Sequence, residues 1–242
     1  MEALVALESG AAPIDAETCR ELVGLFGNER KEIGRRAAGA LARAAADPEC
    51  RSLLESALTD GDARRRWCAC FALGRAGILG GPVIVAAIEA LGFDDADVRW
   101  AAAAIVCRAV RSQPRLLEQV RAAARAALPE QRKMALYCLR DAAVVDEAEF
   151  LDSLHDHDRG VRMAALAGLS RCEPSKAAIE SMATVMEQDA DEGVRRAAAA
   201  ALTRRGGSDS TLRERIARAE TESKGPASAR SAKITPDRDP DR

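Results

Sequence analysis

Aromatic residues make up only 3% of this 242-residue chain; two tryptophans, one tyrosine and four phenylalanines are all it has. A core built with so few rings must rely on Ala, Leu and Val, which suits closely packed helices, and apolar residues do reach 48%. Histidine is as scarce: His155 and His157 are the only two, and both sit in His155-Asp156-His157-Asp158. Neither sign of charge is in excess, since 36 Lys and Arg face 38 Asp and Glu for a net charge of −2. That balance gives no global pull toward nucleic acid or a membrane surface. No uncharged apolar run approaches the ~18 residues of a membrane span, and Met1 to Glu8 is acidic and too short in its apolar run for a secretory signal. A Gly-rich phosphate loop and a G-x-S-x-G elbow are also missing. The seven cysteines, Cys19, Cys50, Cys68, Cys70, Cys107, Cys138 and Cys172, are odd in number and scattered over helical positions. The expectation is free thiols in a reducing, cytoplasmic setting.

What the chain has in abundance is repetition. The stretch from Asp94 to Arg108 reads as a capped helix: Asp95 can take up free N–H groups of the first turn, and Arg99 follows one turn later as its partner. Val98, Ala102 and Val106 recur at four-residue steps and share one face. Equivalents of Val98 are Ile33, Arg65, Gln131, Val161 and Val194, at spacings of 30–33 residues. Four residues on stands an alanine in every copy: Ala37, Ala69, Ala102, Ala135, Ala165 and Ala198. Eight residues on stand Leu41, Leu73, Val106, Leu139, Leu169 and Leu202. A period of this length holds two short helices and two turns, so the chain is expected to be all-α, a right-handed α-solenoid of about six two-helix repeats. The alanine column lets helices approach closely; a larger side chain there would overpack the seam.

Read in order, residues 1–14 are a lead-in, 15–220 the repeat array with a C-terminal capping helix, and 221–242 a disordered tail of Ser, Pro and mixed charge. The first outer helix runs from about 15 to 26, and further outer helices are expected near 48–58, 82–92, 114–127, 146–155 and 174–188. Pro48, Pro82, Pro114 and Pro174 open four of these, where a missing N–H costs nothing. The aligned copies are the inner helices. Asp62, Asp95, Asp158 and Asp191 precede four of them, each with an Arg four residues later: Arg66, Arg99, Arg162 and Arg195. After Gly206-Gly207, Leu212 and Ile216 mark a last amphipathic helix.

The phrases DADVRWAAAAIVCRAV, HDRGVRMAALAGLSRC and DEGVRRAAAAALTRRG resemble HEAT repeats, in particular the short bacterial HEAT-like type named after phycobilisome lyases. The resemblance covers about 15–207 and rests on D-x-x-V-R-x-x-A-x-x-x-L. It departs from the longer HEAT and armadillo repeats, whose period is ~40–47 residues, and Arg65 and Gln131 replace the Val in two copies. What the resemblance implies is a scaffold rather than one chemistry.

At 100° per residue, positions two and six after the origin of each inner helix point away from the buried face. The first set is Arg35, Trp67, Trp100, Lys133, Met163 and Arg196; the second is Gly39, Phe71, Ala104, Tyr137, Ala167 and Ala200. Ten residues after the origin come Arg43, Arg75, Arg108, Arg171 and Arg204, interrupted by Asp141 with Arg140 beside it. Inner helices of solenoids line a concave surface, and aromatic and Arg side chains are the usual binding hot spots. The candidate partner-binding set is therefore Trp67, Phe71, Trp100 and Tyr137, rimmed by Arg75, Arg108, Arg140 and Met163. The plain alternative is that the rings pack across neighbouring repeats and the Arg row binds helix C-terminal carbonyls. Outer helices carry Glu17, Glu21, Glu49, Glu55, Glu118, Glu147, Glu149 and Glu180, so charge is expected to be acidic outside and more basic inside.

These features point to a non-catalytic interaction scaffold or adaptor that binds a protein or acidic peptide in its concave groove, with no cofactor, metal or catalytic residue. The His-Asp tract reads as a solvated turn, because no further ligand accompanies it. Cys68 and Cys70 point about 200° apart on one helix and cannot chelate as a pair. Two other readings stay open. A bilin lyase-like protein would place a tetrapyrrole in the groove, its propionates on Arg75 and Arg108. A helical-repeat DNA glycosylase-like binder would use Asp141 beside Tyr137 and Arg140, against a pI of about 5.9 that does not suit nucleic acid.

Overall fold

The computed structural model describes residues 2–142, 146–205 and 210–223. The described residues are helical with turns between, and no strand occurs among them. The chain divides into two compact units, Met1–Phe150 and Leu151–Arg242. The first contains α1 (Glu2–Ser9), α2 (Ala16–Gly24), α3 (Lys31–Ala44), α4 (Pro48–Ala57), α5 (Ala63–Arg75), α6 (Gly81–Ala90), α7 (Ala96–Ser112), α8 (Leu117–Ala123) and α9 (Pro129–Asp141). The border falls inside α10 (Ala148–Leu151); the second unit then holds α11 (Arg159–Leu169), α12 (Lys176–Gln188), α13 (Glu192–Arg205) and α14 (Ser210–Ser223). In the first unit the inner helices stack as α3, α5, α7 and α9, and the outer ones as α2 on α4 and α6 on α8. In the second, α11 packs on α13, and α14 covers both α12 and α13.

The alanine column forms the seam of each unit. Ala37, Ala69, Ala102, Ala135, Ala165 and Ala198 are all fully buried, as are Leu41, Leu73, Val106, Leu169 and Leu202 four residues on. The origin position behaves differently in the two units: Val161 and Val194 are buried, whereas Ile33, Arg65, Val98 and Gln131 are half-buried. The two polar members have partners, Arg65 on Asp60 at 2.7 Å and Gln131 on the Ile88 carbonyl at 2.9 Å. Ala102→Leu is expected to destabilise the first unit by about 1–3 kcal/mol through overpacking. Urea denaturation reads this; an unchanged midpoint would mean the helices do not depend on that close approach.

The Asp residues cap as expected. Asp62 accepts from the Arg64 N–H, Asp95 from those of Asp97 and Val98, Asp158 from Val161 and Asp191 from Val194. Their supposed partners do something else. Arg66, Arg99, Arg162 and Arg195 each turn back and donate to the carbonyls six and five residues upstream, as in Arg99 to Phe93 at 2.6 Å and Asp94 at 2.8 Å. Arg132 makes the same clamp on Ala126 and Ala127, although its copy lacks the Asp. Three of these guanidiniums also reach a carboxylate further along the chain: Arg66 to Glu89, Arg99 to Glu130 and Arg162 to Asp189. The motif is therefore a cap plus a separate brace on the preceding turn, because a turn leaves carbonyls that no helix satisfies.

Several expected helices differ at their ends. The stretch 146–155 makes only one α-turn, α10, followed by a 3-10 turn at Asp152–His155. Pro114 opens a 3-10 turn that leads into α8. Pro174 stays outside α12, since Ser175 caps that helix by accepting from the Ala178 N–H. The lead-in also contains structure: α1 packs on α3, Glu8 pairs with Arg36 at 3.2 Å, and Arg43 donates to the Ser9 carbonyl at 3.1 Å. Arg108 makes the equivalent bond to the Gly74 carbonyl at the end of α5. Thus α1 stands beside α3 as one inner helix stands beside the next. Residues 221–223, expected in the tail, belong to α14, and 206–209 and 224–242 lie outside the described residues.

The expectation of free thiols holds for Cys68, Cys70, Cys107, Cys138 and Cys172 and fails for Cys19 and Cys50. Cys19 on α2 and Cys50 on α4 are disulfide-bonded, with Cα atoms 5.8 Å apart. They are separated by 31 residues, about one repeat, so stacking brings equivalent faces of consecutive outer helices together. Closing a loop of that length stabilises by about 2–4 kcal/mol. Reduction with dithiothreitol is expected to lower the melting temperature of the first unit, and a Cys19→Ala/Cys50→Ala variant should show no such response. An equal fall in the variant would locate the effect elsewhere.

Candidate functional site

Periodicity places rings on the inner helices of the first unit, and the structure joins them as two pairs. On α5, Trp67 and Phe71 are one turn apart, with ring centroids at 5.6 Å and planes tilted by 46°. Arg75, one turn further, lies over the Phe71 ring at 5.7 Å. The second pair crosses helices: Trp100 of α7 stacks on Tyr137 of α9 at 5.7 Å and 17°. Arg140 covers Tyr137 at 4.8 Å. The crossing occurs because position two of one inner helix meets position six of the next. Between α5 and α7 the corresponding position six is Ala104, which has no ring, and Trp67 packs within its own helix instead. Trp100 is 54% exposed, while Trp67, Phe71 and Tyr137 are half-buried. Met163 is half-buried on α11 of the second unit.

The Arg residues split by role. Arg108 donates to the Gly74 carbonyl at 2.8 Å, the helix-end role that the plain alternative assigned to the row. Arg75 and Arg140 lie on rings, in the geometry of a cation–π contact. Arg140 also holds the Asp141 carboxylate through two bonds, at 2.8 and 3.0 Å, and that ion pair raises the guanidinium pKa. Asp141, the one carboxylate considered for base chemistry on DNA, is thus tied to a cation.

A cavity of about 630 Å³ opens at the N-terminal ends of α3, α5 and α7. Phe26, Trp67, Cys68, Phe71 and Phe93 supply its apolar wall. Beneath it burial pushes the Cys68 thiol up to about 12, which keeps it protonated and inert at neutral pH. Around the mouth, Lys31 pairs with Asp95 at 2.6 Å and Arg35 with Glu32 at 2.9 Å. The Lys31 ammonium holds the Asp95 carboxyl below its usual range, and Arg35 does the same for Glu32. The inner face is here richer in carboxylate than in cations, contrary to the expected segregation. Phe26, Phe93, Glu29, Asp94 and Asp97 were not among the sequence candidates. Most of them lie in the turns leading into inner helices, which an alignment of helix positions leaves out.

The remaining motifs have structural uses. Asp156 accepts from the Asp158 N–H at 2.8 Å and Asp158 caps α11, so the His-Asp tract is a built turn. Cys68 faces the Phe26 carbonyl and Cys70 the Val83 carbonyl, in different directions from α5.

No family model matches the chain, and no curated protein matches it. Among solved structures, the complex of CpcE and CpcF of phycocyanin lyase from Nostoc sp. PCC7120 is 18% identical, covering 77% of this chain and 99% of that one at a TM-score of 0.36. One engineered protein is 18% identical over 83% of this chain and 97% of its own, at a TM-score of 0.45. A second engineered protein is 18% identical over 90% and 67%, at 0.47. Likenesses this loose assign neither family nor activity. The helical-repeat architecture rests on the chain's own stacked, similarly capped and braced helices.

Proposed function

We propose that the protein is a non-catalytic interaction module whose first unit binds a partner protein across the inner helices α5, α7 and α9. The observation that carries this reading is Trp100: a large ring, 54% exposed, held in place by stacking on Tyr137. A rigid, half-solvated tryptophan backed by a second ring has the character of a binding hot spot, because its contact area is already ordered before the partner arrives. Trp67 with Phe71 supplies a second anchor on the same stack of helices, and Arg75 and Arg140 add planar cations beside each pair. The HEAT-like repeat pattern supports the same role, since such repeats serve as scaffolds. The test is affinity capture from native lysate, identification of the bound protein, and titration of that purified protein against wild type and Trp67→Ala/Trp100→Ala. Equal affinity for both would refute the assignment.

A further inference from the structure

The cavity beside Trp67 carries a charge pattern that partner binding in general does not require. Five carboxylates line it, Glu29, Glu32, Asp94, Asp95 and Asp97, against the three cations Lys31, Arg35 and Arg64. Pairing within the lining joins Lys31 to Asp95 and Arg35 to Glu32. Glu29, Asp94 and Asp97 then have no ion-pair partner among the described residues; Lys31 and Arg35 attract Asp97 only at longer range, and Arg64 is the one lining cation outside these pairs. The helix N-termini at the mouth do not reverse this balance. Asp62 and Asp95 already cap α5 and α7, and Glu32 and Asp97 sit in the first turns of α3 and α7. The apolar wall includes the rings of Trp67 and Phe71, and aromatic faces attract cations, as Arg75 over Phe71 shows.

We propose that this cavity receives an arginine side chain from an extended segment of the partner protein, its guanidinium against Asp94 and Asp97 and its methylene stem against Trp67 and Phe71. The proposal rests on the interaction-module reading and names the chemistry of what is bound. Arginine fits better than lysine because its planar guanidinium stacks on rings and meets carboxylates through two parallel bonds. The cavity volume lies within the ~300–1,000 Å³ range of ligand pockets, more than one side chain fills, which leaves room for the flanking backbone of an extended segment. The same lining disfavours the acidic peptide expected from the sequence, whose carboxylates would meet three unpaired ones.

The test uses the full-length chain carrying Trp100→Phe, so that Trp67 alone reports by fluorescence. The probes are two blocked pentapeptides of glycine and serine with either arginine or glutamate at the centre. The arginine peptide is expected to give a saturable Trp67 change, and the glutamate peptide none. The isosteric pair Asp94→Asn/Asp97→Asn, checked for unchanged helicity, should weaken the arginine peptide about tenfold or more. Binding of the glutamate peptide as tightly as the arginine one would overturn the proposal. So would an arginine titration that the Asn pair leaves unchanged, or one that never saturates. These outcomes are read without any partner, so failure here is distinguishable from failure of the capture experiment.

Discussion

Trp67→Ala/Trp100→Ala is expected to weaken partner binding by about 100-fold while far-UV circular dichroism stays close to wild type. Truncating a central hot-spot residue costs about 2–4 kcal/mol of binding, and each factor of ten corresponds to about 1.4 kcal/mol. Two anchors at the low end sum to about 4 kcal/mol, and 100-fold needs about 2.8, so the expectation tolerates a shortfall from additivity of about 1 kcal/mol. Helicity should survive because neither ring belongs to the buried seam; that role falls to Ala69, Leu73, Ala102 and Val106, all fully enclosed. The single variants should differ. Trp100→Ala leaves Tyr137 with Arg140 above it and one face newly open, whereas Trp67→Ala removes both a ring partner of Phe71 and part of the cavity wall. Isothermal titration of the purified partner against all three variants separates these contributions. A double variant within threefold of wild type would place the binding face elsewhere.

Arg162→Ala is expected to destabilise the second unit by about 1.5–3 kcal/mol, because it removes charge-assisted hydrogen bonds from a half-buried, largely shielded pair. Arg162 meets Asp189 through two bonds, at 2.7 and 3.0 Å, and their side chains are only 14% and 7% exposed. The same guanidinium satisfies the carbonyls of Asp156 and His157, so truncation also orphans part of the turn before α11. Asp189 in turn accepts from the Asp191 N–H and helps shape the turn before α13. Adding Asp189→Asn to Arg162→Ala removes the stranded charge and should recover part of the loss. The exposed pair Arg159–Asp191 is the control: at 58% and 34% exposure, Arg159→Ala should cost about 1 kcal/mol or less. Urea denaturation, with hydrogen exchange to localise the change to α11–α13, reads both. Equal effects for Arg162 and Arg159 would show that the brace contributes no more than a surface ion pair.

Much of the architecture was legible because one residue type recurs where backbones must nearly touch. The six alanines share one burial state, and so do nearly all the residues four positions on, because spacing along a helix dictates facing. The four capping aspartates were legible for a similar reason, since a cap acts within three residues of itself. The Arg partners were not. The clamp on carbonyls six and five residues back crosses a turn whose path no periodicity specifies, and the sequence offers the nearby Asp as a more obvious mate. The Cys19–Cys50 bond is not legible in the repeat signature, which lies on the inner helices, while both cysteines stand on outer ones. At the candidate site, helical spacing places Trp100 and Tyr137 on adjacent inner helices, where they stack. Spacing alone does not show that the rings form two separate pairs, a split that follows from Ala104 standing where a third ring would have to be. The cavity was invisible for a different reason: its acidic lining comes largely from turns, where helical spacing carries no information.

The most direct test of the account is acrylamide quenching of Trp100 in a Trp67→Phe background, free and with the captured partner bound. The stacked but exposed ring should be readily quenched in the free protein and strongly protected in the complex. A Trp100 shielded in the free protein, or one equally open to quencher with the partner bound, would contradict the assignment of this face as the binding surface.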